Sequence, residues 1–91
     1  MNIADAVFNW LQIYIVAEAR PNDRAAQETA AFFESILRED HQLKSFEIEA
    51  SAETYQVRYV SENGEENTLK FHKQSAEKLL KDIEAEPRYN Q

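Results

Sequence analysis

Two stretches decide the fold: Phe46-Glu47-Ile48-Glu49-Ala50 and Tyr55-Gln56-Val57-Arg58-Tyr59, in which apolar and polar side chains alternate. Successive side chains of an extended chain point to opposite faces, so each stretch predicts a strand with one apolar face. A third follows Ser61-Glu62-Asn63-Gly64, running from Asn67 to Phe71 with Leu69 and Phe71 as its apolar positions. Parity then selects the loops. A two-residue Asn63-Gly64 turn would set Arg58 opposite Leu69 and mix the faces. A type I turn through Glu62-Asn63, with Gly64 in a left-handed bulge, pairs Val57 with Leu69 and Tyr55 with Phe71. The sole glycine of the chain thereby acquires a reason, the positive φ of that bulge. The first hairpin needs an even loop. Ser51 to Thr54 sets Ile48 opposite Val57, Phe46 opposite Tyr59 and Glu47 opposite Arg58, leaving one sheet face apolar and the other charged.

Upstream the period changes to that of a helix. Ile3, Val7, Phe8, Leu11, Tyr14 and Ile15 fall along one side of the first twenty residues, and Ala6, Trp10, Ile13 and Ala17 form a second seam beside it. The apolar arc spans roughly 220°, against the 100° or so of an ordinary surface helix. This helix must be covered on two sides. Arg20-Pro21 ends it, because the residue before a proline is pushed out of the α region, and Asn22 or Asp23 caps the next. Helix 2, from about Asp23 to Glu39, gathers Ala25, Ala26, Thr29, Ala30, Phe32, Phe33, Ile36 and Leu37 on one side. The short link makes helices 1 and 2 antiparallel neighbours. A last helix, about Lys73 to Glu86, carries Ala76, Leu79, Leu80 and Ile83 in a narrow stripe and stops at Pro87. The fold class is therefore α+β, in the order α-α-β-β-β-α: a three-stranded antiparallel meander with the helices packed on one face. Residues 1–87 form a single domain and 88–91 a frayed tail. A winged helix would need a strand between its first two helices, and this order does not match it.

Composition narrows function by exclusion. The 91 residues hold no Cys, one Gly and two Pro, with 10 Lys+Arg against 17 Asp+Glu for a formal charge of -7. Without Cys there is no disulfide framework, thiolate nucleophile or zinc ribbon, in keeping with a reducing compartment. No half of the chain is basic, which argues against direct nucleic-acid binding; the densest basic cluster, Lys70, Lys73, Lys78 and Lys81, is interleaved with Glu77 and Asp82 as a solvated helix face, with Glu77–Lys81 and Lys78–Asp82 pairs. The apolar run 6–17 lacks a basic leader and is too short for a bilayer that needs about 20 residues, so the expected location is cytoplasmic, with no membrane attachment.

One glycine rules out phosphate-cradling loops and dinucleotide fingerprints. Two histidines rule out three-histidine metal sites, and no metal or cofactor is expected. His41, beside Asp40, reads as part of an exposed turn, and His72 as flanking the last helix. Glu39-Asp40, Glu47 with Glu49, and Glu65-Glu66 lie in water, where carboxylates make poor general acids. No catalytic residue emerges, and the chain is expected not to be an enzyme. Glu18 alone breaks pattern, falling in line with Val7, Leu11 and Tyr14 on the core side. Either it reaches solvent or pairs with Arg20 or Lys44, or it is partly buried and functional.

The functional expectation rests on helix 1. Its second seam, Ala6, Trp10, Ile13 and Ala17, is either covered within the chain or exposed as a contact, and a thin core makes a subunit partner useful. The expected function is a small, non-enzymatic interaction module or accessory subunit, binding a protein partner or itself as a homodimer through that face. The alternative is an acidic inhibitor that mimics nucleic acid and occupies the basic groove of a DNA- or RNA-processing protein, using Glu28, Glu34, Glu39 and Asp40 with the sheet carboxylates.

Overall fold

The structure, a computed structural model, describes residues 1–86. Helix α1 (Ile3–Ala19) leads to α2 (Arg24–Ser35), which runs on as a π turn (Ile36–Asp40). Strands β1 (Leu43–Ala50), β2 (Thr54–Ser61) and β3 (Glu66–His72) follow, then α3 (Lys73–Ala76) and α4 (Lys78–Ala85). The α-α-β-β-β-α order and the meander agree with the reading of the sequence. No described helix is long and apolar enough to cross a membrane. Pro87 and the expected tail, 88–91, lie outside the described residues.

The sheet is antiparallel in the order β1-β2-β3. Ile48 faces Val57, Phe46 faces Tyr59 and Glu47 faces Arg58, while Val57 faces Leu69 and Tyr55 faces Phe71. Both loops have the length parity demanded. Gly64 sits at φ +91° and its N–H donates to the Ser61 carbonyl at 2.9 Å, the bond of a three-residue bulged turn. One departure is local: the β1–β2 register slips between Leu43 and Ser45, which lets Leu43 turn into the core.

Each long helix starts on a side-chain cap. The Asn2 Oδ1 accepts from Asp5 N–H at 2.8 Å, and Asp23 Oδ1 from Ala26 N–H at 3.1 Å, satisfying donors the first turn leaves unpaired. Two corrections concern helix ends. Helix 2 does not stay α-helical to Glu39: the Ser35 hydroxyl back-bonds to the Ala31 carbonyl, and from Ile36 the chain widens into the π turn, closed by His41 N–H to Ile36 O at 3.2 Å. The final helix is divided at Glu77, where the Tyr55 hydroxyl donates to its carboxylate at 2.6 Å. Glu77 thus faces the sheet, while the expected Lys78–Asp82 pair forms at 2.7 Å.

Helix α1 is the axis of the packing. Val7, Trp10 and Leu11 in its first half lie over the apolar sheet face with Leu37, Leu43, Val57 and Ala76. Val16 and Ala17 in its second half sit between Ala26 and Ala30 of α2 and Leu79, Leu80 and Ile83 of α4, with Ile13 packed alongside. A wide apolar arc is thus served by two different covers in succession. The alanines bring α1 and α2 close, and Gln27 Nε2 donates to the Ala17 carbonyl at 2.9 Å across the junction.

Candidate functional site

The seam expected to bind a partner is closed by its own chain. Ala6, Trp10 and Ala17 are buried and Ile13 is half-buried against α4. Trp10 is 4% exposed; its ring meets Phe46 edge-on at 4.8 Å and Tyr14 at 5.3 Å. The physical reason is the division of cover along α1, in which the sheet takes the first half and α2 with α4 the second. Trp10 Nε1, buried, finds no acceptor among the described residues, so this ring's site is chosen by packing rather than by its polar handle.

Two large apolar side chains among the described residues stay exposed, Met1 before α1 and Phe32 on α2. Of the residues that share its apolar side, Ala26, Ala30 and Leu37 are buried and Phe33 and Ile36 half-buried, but Ala25, Thr29 and Phe32 face solvent. Phe32 is 60% exposed, touching Phe33 at a ring separation of 5.6 Å. Beside it lies a shallow hollow of about 130 Å³ lined by Phe32, Ser35, Ile36, Glu39 and Asp40. The π turn shapes this surface. It sends Leu37 into the core and Arg38 back over the Phe46 ring at 4.8 Å, with a hydrogen bond to the Lys44 carbonyl at 3.3 Å. Glu39 and Asp40 are left outward. The Glu62 N–H bond to the Gln42 carbonyl, 2.9 Å, ties the start of the β2–β3 turn to the residue before β1. The available sequence signal was the width of helix 2's apolar side, which exceeds what one neighbouring helix covers.

Glu18 is exposed, not on the core side: the second half of α1 is clamped on its Val16–Ala17 side, which puts the Tyr14–Glu18 edge at the rim. It lines an open cleft of about 430 Å³ between α1 and α2 with Tyr14, Gln27 and Glu34. The Glu18 carboxylate beside the Tyr14 hydroxyl, with partial burial and the negative charge of Glu34, holds the phenol above its ordinary 10.0. Arg20 pairs with Asp23 at 3.1 Å. A larger open hollow, about 680 Å³, lies at the β3–α3 junction and is lined by residues including Glu53, His72, Lys73, Glu77 and Lys81. Behind it Tyr55 is pushed up to about 12 by burial and by its bond to Glu77, with Lys73 Nζ over its ring at 5.5 Å. His72 precedes α3 without a side-chain capping bond, and His41 is half-buried at the end of the π turn next to exposed Asp40. Among the described residues no group of three or more His, Cys, Asp or Glu is placed to hold a metal ion.

The chain matches no family model, no curated protein and no solved structure.

Proposed function

We propose that this protein is a non-enzymatic cytoplasmic binding module that docks a protein partner through the outer face of α2, with Phe32 as the anchor. The observation that carries the reading is the exposure of Phe32, 60%, at the end of a strip that Ala25 and Thr29 begin. Leaving that fraction of the ring in water forfeits roughly 1–2 kcal/mol of burial free energy that a partner's socket would recover. Carboxylates flank it, Glu28 one turn before and Glu39 and Asp40 after, so the matching partner has an apolar pocket rimmed by Lys or Arg. The hollows beside Phe32, between α1 and α2 and at the β3–α3 junction open to solvent, which suits docking more than an enclosed reaction site.

The second reading, mimicry of nucleic acid, draws on the net charge of -7. The carboxylates it would use are dispersed: Glu34 lines the α1–α2 cleft, Glu39 and Asp40 border the Phe32 hollow, and Glu47 is tied to Arg58 at 3.4 Å on the far sheet face. This distribution favours docking. Affinity capture from a lysate with wild type and Phe32→Ser, at low and high salt, tests the choice. A partner retained by wild type at high salt and lost with Phe32→Ser is the expected result, since salt screens charge pairing over a Debye length of about 8 Å but not apolar contact. Equal capture by both proteins would overturn the α2 reading, and loss of the partner on salt addition alone would favour mimicry.

A further inference from the structure

The turn between β2 and β3 sets which way the backbone of β3 points. Gly64 N–H donates to the Ser61 carbonyl and Ser61 N–H to the Glu65 carbonyl, both at 2.9 Å. In an antiparallel ladder the hydrogen-bonded pairs recur at every second residue. Asn67, Leu69 and Phe71 therefore turn their N–H and C=O groups toward β2, opposite Tyr59, Val57 and Tyr55, and Glu66, Thr68 and Lys70 turn theirs outward. β3 is an edge of the sheet, and no described strand pairs with its outer side. The side chains of Glu66, Thr68 and Lys70 are exposed on the sheet face away from the helices.

An open edge is a template for another strand unless charge, proline or a bulge spoils it. β1, the other edge, is spoiled. Its register slips between Leu43 and Ser45, and self-pairing centred on Ile48 would set Glu47 opposite Glu49 of the copy, while centring on Glu47 would set it opposite itself. β3 has no register slip against β2 and carries one charge of each sign. Antiparallel pairing with its own copy about Thr68 places Glu66 opposite Lys70 of the second copy, twice by symmetry, and Thr68 opposite Thr68. Opposite charges and threonine pairs at such positions favour pairing. Among the described residues neither Glu66 nor Lys70 is engaged in an ion pair.

We infer that the protein forms a two-fold dimer in which β3 pairs antiparallel with β3 of a second copy, joining two three-stranded sheets into one of six strands. The contact uses the same residues from both chains, so it closes at two copies. It leaves α2 open, and it stands apart from the docking role proposed for Phe32. The second copy anticipated at helix 1 thus has a place on the sheet edge instead.

Analytical ultracentrifugation of the full chain, from micromolar concentrations to about 1 mM, tests it. Wild type is expected to pass from monomer to dimer and no further. Glu66→Lys or Lys70→Glu alone sets like charges opposite each other at both positions and is expected to weaken the dimer by about tenfold or more. A mixture of the two variants restores opposite charges and is expected to give a heterodimer of wild-type strength. Thr68→Pro removes an outward N–H without touching the β2–β3 ladder, and is expected to yield a folded monomer by circular dichroism. A wild type that stays monomeric throughout would overturn the inference. So would a dimer indifferent to these charge reversals, or variants that fail to rescue each other in the mixture.

Discussion

Replacing Trp10 with alanine tests whether the wide face of α1 is core. The ring is 4% exposed and lies against Phe46 and Tyr14. Truncations of this kind cost about 3–5 kcal/mol through lost transfer energy and the cavity left behind. Two aromatic contacts raise the cost, at about 0.5–1.5 kcal/mol each beyond area. One contribution has the opposite sign: Nε1–H is buried without an acceptor among the described residues, a penalty of about 1–3 kcal/mol that disappears with the indole. The balance falls near 4 kcal/mol, a large share of the roughly 5–14 kcal/mol that a chain of this size has available. Trp10→Phe keeps most of the ring and removes the orphaned donor, so its cost is expected to stay near 1 kcal/mol or below. Urea unfolding followed by far-ultraviolet circular dichroism reads both. With a slope of about 1.5 kcal/mol per molar, Trp10→Ala lowers the midpoint by about 2.7 M and Trp10→Phe by less than about 1 M. If Trp10→Ala stays within about 0.5 kcal/mol of wild type, the ring is not part of a monomer core and the packing described for α1 is wrong.

Gln42 holds a φ of +55°, a left-handed conformation costly for a residue with a Cβ; Gln42→Gly is expected to raise stability by about 0.5–1 kcal/mol in the same urea assay. Gly64→Ala has open space for its methyl group but φ +91°, so a loss of about 1 kcal/mol, confined to backbone strain, is expected by thermal melting. Tyr55, at about 12 in the folded protein against 10.0 for the free side chain, binds its proton more tightly when folded. Its contribution is complete below pH 10 and is lost as pH rises toward 12; ultraviolet titration of tyrosinate should lose its highest transition in Tyr55→Phe. Asp23 is held below 3.8 by the Ala26 N–H first and Arg20 second. Its capping contribution is present above that pH and lost as pH falls through the lowered value. Asp23→Ala is expected to cost about 1 kcal/mol near neutrality, and an unchanged gap from wild type at pH 2 would contradict the mechanism.

Local rules reached far in this chain. Alternation in Phe46–Ala50 and Tyr55–Tyr59, together with a single glycine, sufficed for both hairpin registers, because strand pairing permits no odd slip without exchanging the two faces. Pro21 and the Asn22-Asp23 cap marked the passage from the first helix to the second for a similar reason: each satisfies or forbids backbone bonds within a few residues. The division at Glu77 was hidden, since it depends on Tyr55, distant in sequence. The π turn was hidden too, because the Leu37 and Arg38 contacts that accompany it include Phe46 and Lys44 on the following strand.

Sequence by itself determined how much apolar surface α1 and α2 present, together with the strands they meet. Only the tertiary structure decided which of that surface is hidden. Trp10 and Phe32 are both large rings on apolar helix faces. One is sealed because α1 runs over the sheet and then between α2 and α4, the other faces water because α2 meets its neighbours along one side only. Periodicity measures the demand for cover, but supply depends on where separate elements lie in space, and no local pattern encodes that.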